Sequence, residues 1–131
     1  DGFVNSEDHS VLTGTKGATT TYVKYSSIGT YEVIPNVLTS ANYDITYENG
    51  SITVGKQAIA ETDVTLEYTE ASFTGSALTP TVTVVVEDRT LVKDTDYTVA
   101  YANNINKGTA TVTITAKGNY DGTVIKTRYY L

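Results

Sequence analysis

Residue types able to do chemistry are present in this chain, but their spacing does not assemble them. Asp8-His9-Ser10 holds the three members of a hydrolytic triad as immediate neighbours. Neighbours on a strand point to opposite faces, so they cannot form the nucleophile–base–acid relay. His9 is the only histidine, and a polar surface stretch is the simpler reading. Glycoside hydrolysis needs two carboxylates flanking a cleft. The 15 acids here are scattered over strand edges and turns without a focus. The richest oxygen zone is Asp94-Thr95-Asp96 with Asn103, Asn104 and Asn106. Calcium takes six to eight such oxygens, yet the spaced acidic pattern of an EF-hand loop is missing. The same residues make turns through side-chain-to-backbone bonds.

Eleven tyrosines offer stacking surfaces for sugars. Most run in phase with Val and Ile, which marks them as core. Tyr129-Tyr130 cannot both face inward on one strand, so one of the pair is expected outside. The absence of Trp argues against a carbohydrate platform. Asn49-Gly50-Ser51 matches a glycosylation acceptor, but a turn accounts for it equally. We therefore assign no catalytic, cofactor-binding or metal-ligating residue, and no cofactor is implied.

The elements that would position these residues are β-strands. The chain has 131 residues, enough for one ordinary domain or two small ones. It contains 25 Thr, 15 Val, 11 Tyr and 8 Ile, the types that fit a pleated, half-buried surface, against 6 Leu and 10 Ala. There is no Cys, so disulfides, thiol nucleophiles and thiolate metal sites are excluded together. The net charge is −6 with no basic cluster. A nucleic-acid backbone and an anionic membrane surface are both repelled. No run approaches the ~20 apolar residues of a membrane-spanning helix. The chain opens at Asp1, not Met, and reads as part of a longer polypeptide, so the lack of a leader is silent about export.

Thr109 to Ala116 alternates strictly, which places Ala110, Val112, Ile114 and Ala116 in a core and four Thr outside. Tyr97, Val99 and Tyr101 repeat the logic, as do Val82, Val84 and Val86, with Val85 out of phase. In the first half Tyr31 and Val33 alternate with Thr30 and Glu32. Ile45 and Tyr47 lead through Asn49-Gly50 to Ile52 and Val54. Asn-Gly between alternating runs predicts a type I′ hairpin over 44–54. Residues 37–42 have room for one helical turn. Expected core residues of the second half are Leu66, Phe73, Val82, Val84, Tyr97, Val99, Tyr101, Val112 and Ile114.

Laid together, the halves repeat. Gly29-Thr30-Tyr31-Glu32-Val33 corresponds to Gly108-Thr109-Ala110-Thr111-Val112. Tyr22-Val23-Lys24-Tyr25 corresponds to Thr98-Val99-Ala100-Tyr101, and Asn42-Tyr43-Asp44 to Asn119-Tyr120-Asp121. The seam falls near Gly55-Lys56, which gives an expected 1–55 module and an expected 56–131 module.

Specific stretches of the second half resemble a bacterial Ig-like surface repeat. They are Tyr68…Phe73-Thr74-Gly75…Pro80, Asp96-Tyr97-Thr98-Val99…Tyr101…Asn104, Gly108 to Ile114 and Gly118-Asn119-Tyr120…Gly122-Thr123. The first half is similar to the MBG type of bacterial repeat, through Gly14 to Thr20, Gly29 to Val33, Leu38-Thr39…Asn42-Tyr43…Ile45-Thr46-Tyr47 and Asn49 to Val54. Its opening Phe3-Val4-Asn5-Ser6 departs from the aromatic-glycine start of the second copy, so the first module is read as incomplete at its N-terminus.

The resemblance implies an all-β chain of two tandem Ig-like β-sandwich modules, with a β-grasp-like arrangement as the alternative for the short first one. It also implies a non-catalytic structural or adhesive spacer of a secreted or cell-surface bacterial protein. Neighbouring repeats of the same chain would be its partners, together with a host surface protein or glycan. The alternative is a carbohydrate-binding module using exposed Tyr. Ig-like folds of pilins and adhesins also carry Lys–Asn cross-links, for which Lys24 and Lys126 are the candidate donors here.

Overall fold

The computed structural model describes residues 2–131. The chain divides into two compact units, one ending at Gly55 and one spanning Lys56–Leu131. Both are built from strands. The only helical pieces among the described residues are two single 3-10 turns, His9–Val11 and Glu61–Asp63. None is long and apolar enough to cross a membrane.

The first unit is one antiparallel sheet of three strands, β1 (Ala18–Thr20), β2 (Gly29–Pro35) and β3 (Gly50–Val54), with β2 central. Tyr31 stands opposite Ile52, and Glu32 opposite Ser51. Tyr31, Val33, Ile52 and Val54 are half-buried while Thr30, Glu32, Ser51 and Thr53 are exposed, which is the alternation of a one-sided sheet. Aromatic pairs support its flanks: Tyr22 lies edge-on to Tyr31 at 5.8 Å, and Phe3 to Tyr43 at 5.3 Å. No described residue before Lys56 is fully buried.

Two local expectations fail in this unit. Residues 43–49 form no strand, so the 44–54 hairpin does not exist; β3 pairs with β2 instead. A type I′ turn demands positive φ at both central residues. Neither Asn49 nor Gly50 takes it. Gly50 already belongs to the extended strand opposite Val33, and Asn49 Nδ2 donates to Glu32 Oε1 at 2.9 Å. Residues 37–42 are not helical either. The Leu38 carbonyl accepts from the Tyr47 hydroxyl, and Thr39 bridges Thr13 in an antiparallel pair.

The second unit has two facing sheets. One contains β6 (Glu70–Ala71), β12 (Thr123–Tyr130), β10 (Gly108–Ala116) and β9 (Tyr97–Ala102), in that order. The other contains β5 (Val64–Leu66), β7 (Val82–Val86) and β8 (Arg89–Thr90). A short parallel pair, β4 (Gln57–Ala58) with β11 (Tyr120–Asp121), lies beside them. Val64, Val84 and Val86 from one sheet meet Tyr97, Val112, Ile114 and Val124 from the other, and Ile59, Leu91 and Tyr120 complete the cluster. Each such side chain contributes about 1.5–3 kcal/mol on burial. In β10, Ala110, Val112 and Ile114 are buried, Thr109 and Thr115 exposed, and Thr111 and Thr113 half-buried.

Phe73 is the one expected core residue left outside, 43% exposed. β6 ends at Ala71, and although Phe73 N still donates to the Leu131 carbonyl at 2.8 Å, the ring lies outside the core with Lys107 Nζ over it at 5.9 Å. Val85, out of phase in the sequence, is 37% exposed. The paired glycines of the repeat behave alike: Gly29 and Gly108 both open their strands at positive φ. Tyr22–Tyr25 and Thr98–Tyr101 do not, because the former is a turn region and the latter is strand.

Candidate functional site

The Asp8-His9-Ser10 stretch is a 3-10 turn, not a strand, and its polar atoms serve the turn. Asp8 Oδ1 accepts from Ser10 N at 2.8 Å. Hydrogen bonds from Ser10, side chain first, hold the Asp8 carboxyl below 3.8. Among the described residues no hydrogen bond joins His9 to a hydroxyl or a carboxylate. His9 lines an open depression of about 440 Å³ with Phe3, Lys16, Tyr43 and Asp44. There the Tyr43 hydroxyl donates to Glu7 Oε2, an interaction that pushes the Tyr43 phenol above 10.0.

The oxygen-rich zone is split by β9. Asp96 precedes that strand and Asn103 follows it, a separation of roughly 20 Å at about 3.3 Å per residue. One ion cannot bridge the two groups. Asp96 is buried and its Oδ2 accepts from Val92 N at 2.8 Å, closing the 92–97 turn. Asn104 Nδ2 donates to the Leu78 carbonyl at 3.1 Å. Among the described residues no three of His, Cys, Asp and Glu converge in ion-binding geometry.

The cross-link candidates have other contacts. Lys126 Nζ lies 3.6 Å from Glu61 Oε1, and Lys24 Nζ covers the Tyr25 ring at 4.9 Å. Tyr129 and Tyr130 divide as alternation requires, 53% and 2% exposed.

The structure gathers a group that sequence reasoning missed, at one end of the second unit. Arg128 on β12 points inward and is fully buried. Its guanidinium carbon lies 5.3 Å from the Tyr101 ring and 5.6 Å from the Tyr130 ring. Its Nη2 donates to the Leu78 carbonyl at 3.3 Å, which also accepts from the Tyr130 hydroxyl at 3.2 Å. The Tyr101 hydroxyl donates to the Pro80 carbonyl at 2.7 Å. Ala110 faces Arg128 across the β10–β12 ladder, and its single methyl leaves room for the long side chain. The available signal was phase: Val124, Arg128 and Tyr130 share one face of an alternating strand.

Tyr101 is the wall between this cluster and an open groove of about 490 Å³, lined also by Thr79, Thr81, Lys93 and Tyr97. Burial raises the Tyr101 phenol above 10.0, and the Arg128 charge opposes that shift. Burial, then the Asp94 charge, raises Tyr97. Both phenols are neutral hydrogen-bond donors near neutral pH. The arrangement orients backbone carbonyls and presents no nucleophile beside a base.

No curated protein and no solved structure matches the chain. A family model does match the first unit, and the family it describes, a repeat module of extracellular and surface proteins, agrees with the MBG resemblance. Residues 1–53 match the MBG domain (YGX type), so that part of the chain is similar to this family.

Proposed function

We propose that the chain is a non-catalytic spacer segment of an exported bacterial surface protein, with residues 56–131 as a bacterial Ig-like module following an MBG module. The match of residues 1–53 to a structural repeat family carries this reading. The inward alternation of β10 and the engagement of the candidate polar residues in turns and caps support it. Threonine-faced strands suit a segment whose outer surface stays hydrated along a stalk. Neighbouring repeats are its immediate partners, and any host protein or glycan is met by the assembled stalk.

Antibodies against the 131-residue chain test the location. Labelling of intact source cells, lost after brief surface proteolysis, is expected. Labelling that needs permeabilised cells contradicts the proposal. The carbohydrate-binding reading has exposed tyrosines in its favour, Tyr129 on β12 and Tyr22, Tyr25 and Tyr47 in the first unit. A stacking platform needs such rings on one face of one unit; in the second unit the neighbour Tyr130 is buried, and in the first Tyr22 stands edge-on to Tyr31. Glycan-array binding that Tyr129→Ala abolishes would favour that reading over a plain spacer.

A further inference from the structure

Three of the four edges of the facing sheets in the second unit are short: β6 and β8 have two residues each and β5 has three. The fourth edge is β9, six residues long. Tyr97-Thr98-Val99-Ala100-Tyr101-Ala102 holds no charge and no proline, the devices that ordinarily keep an edge from pairing. Its backbone groups point alternately toward β10 and away from it. The Asp96 carbonyl accepts from Lys117 N at 2.8 Å on the β10 side, whereas the Tyr97 carbonyl turns outward and accepts from Asp94 N at 2.7 Å. In that phase Thr98 and Ala100 face β10, and Val99 and Tyr101 present their N–H and C=O groups at the outer edge. No hydrogen bond among the described residues engages those outer groups. Along the same edge the side chains of Tyr97, Val99 and Tyr101 line the open groove of about 490 Å³.

We propose that this edge captures an extended peptide strand, added antiparallel to β9, with alternate apolar side chains in the groove and an acidic one at the Lys93 end. Strand addition draws affinity from main-chain hydrogen bonds and specificity from pockets for alternate side chains, and β9 offers both. Residues directly opposite Val99 and Tyr101 share their face of the sheet, so their side chains enter the groove between β9 and residues 79–82. Lys93 lines the same groove, bridges Tyr97 at the start of β9, is exposed, and makes no ion pair among the described residues. Its neighbour Asp94 does not line the groove. The ammonium therefore stands where the next inward side chain of the captured strand arrives, the one opposite Tyr97. A second copy of this chain fits less well. Its own β9 would bring Tyr97 and Tyr101 with hydroxyls already bonded to the Val82 and Pro80 carbonyls of that copy, and the groove would stay unfilled.

The probe is the peptide acetyl-Thr-Val-Thr-Val-Thr-Glu-Thr-amide, titrated into the 131-residue chain while amide hydrogen exchange is followed residue by residue. Val99 and Tyr101 should pass saturably from fast to slow exchange, while Thr98 and Ala100, already facing β10, stay as they were. Methylating the two valine nitrogens of the probe removes the donors it brings to the new ladder, and that peptide should leave the edge unprotected. Lys93→Gln, an exposed change, should weaken binding of the probe about threefold at low salt, a difference that fades as salt rises. Val99 and Tyr101 amides that ignore the probe at millimolar concentration overturn the proposal, as does equal protection by the methylated peptide. Protection that grows with protein concentration alone overturns it in favour of pairing between two copies. An affinity unchanged by Lys93→Gln overturns the acidic end of the captured strand.

Discussion

Tyr101 and Tyr97 show how single side chains tie the two sheets together. Tyr101 donates to Pro80 O at 2.7 Å and Tyr97 to Val82 O at 3.3 Å, both from β9 toward the strand-bearing segment opposite. Tyr101→Phe should cost about 1 kcal/mol in urea unfolding, and Tyr97→Phe less because its bond is longer. Both phenols have folded-state pKa values above the ordinary 10.0. Above pH 10 the unfolded chain releases these protons while the folded chain keeps them. Stability is therefore fully present below that pH and falls as pH rises toward the folded values. Melting curves from neutral to strongly alkaline pH should show this loss, and Tyr101→Phe should reduce it. Gly118 has φ +65, and a Cβ there would meet Thr95 O at 3.3 Å. Gly118→Ala should cost about 1–2 kcal/mol for the left-handed backbone, checked by the same unfolding curves. Arg128 is the residue least legible in the sequence. Charged side chains are rarely buried whole, so composition points Arg128 outward; the only signal for its burial is its phase with Val124 and Tyr130 on β12.

Strands with strict alternation were legible as elements, because one face of each meets a core. In β10 that claim separates neighbours: Ile114→Ala should cost about 2–5 kcal/mol, whereas Thr115→Ala should stay within about 0.5 kcal/mol. Chemical denaturation of both variants compares the two faces of one strand directly. The failed hairpin shows where local reasoning stops. Asn49-Gly50 carried the strongest turn signal in the chain, but β3 finds its partner in β2, about twenty residues earlier, and Gly50 is spent as a strand residue. Pairing at that separation has no signature in a short window of sequence. Gly50→Ala discriminates between the arrangements. Its φ is not positive, and the new Cβ would meet Val33 Cβ at 3.7 Å, an ordinary contact. The variant should unfold within about 0.5 kcal/mol of the parent, whereas a type I′ turn would be strained by it. The oxygen-rich residues show the same limit of local reading: close in sequence, Asp96 and Asn103 are held apart by the whole of β9.

At the scale of the molecule, the buried residues among those described all belong to Lys56–Leu131, while the first unit rests on a half-buried sheet face and aromatic pairs. Deep cores set the slowest exchange, and exposed sheets open more readily. The most direct test is residue-by-residue amide hydrogen exchange on the 131-residue chain. The slowest amides should be those of Val112, Thr113 and Ile114 on the inner strand β10, with Val84 of β7 close behind. Residues 43–48 should exchange freely, and β3 should be protected only through its pairing with β2. Slow exchange shared between residues 44–48 and 51–54, with rapid exchange through β10, would contradict both the sheet assignment of the first unit and the buried core of the second.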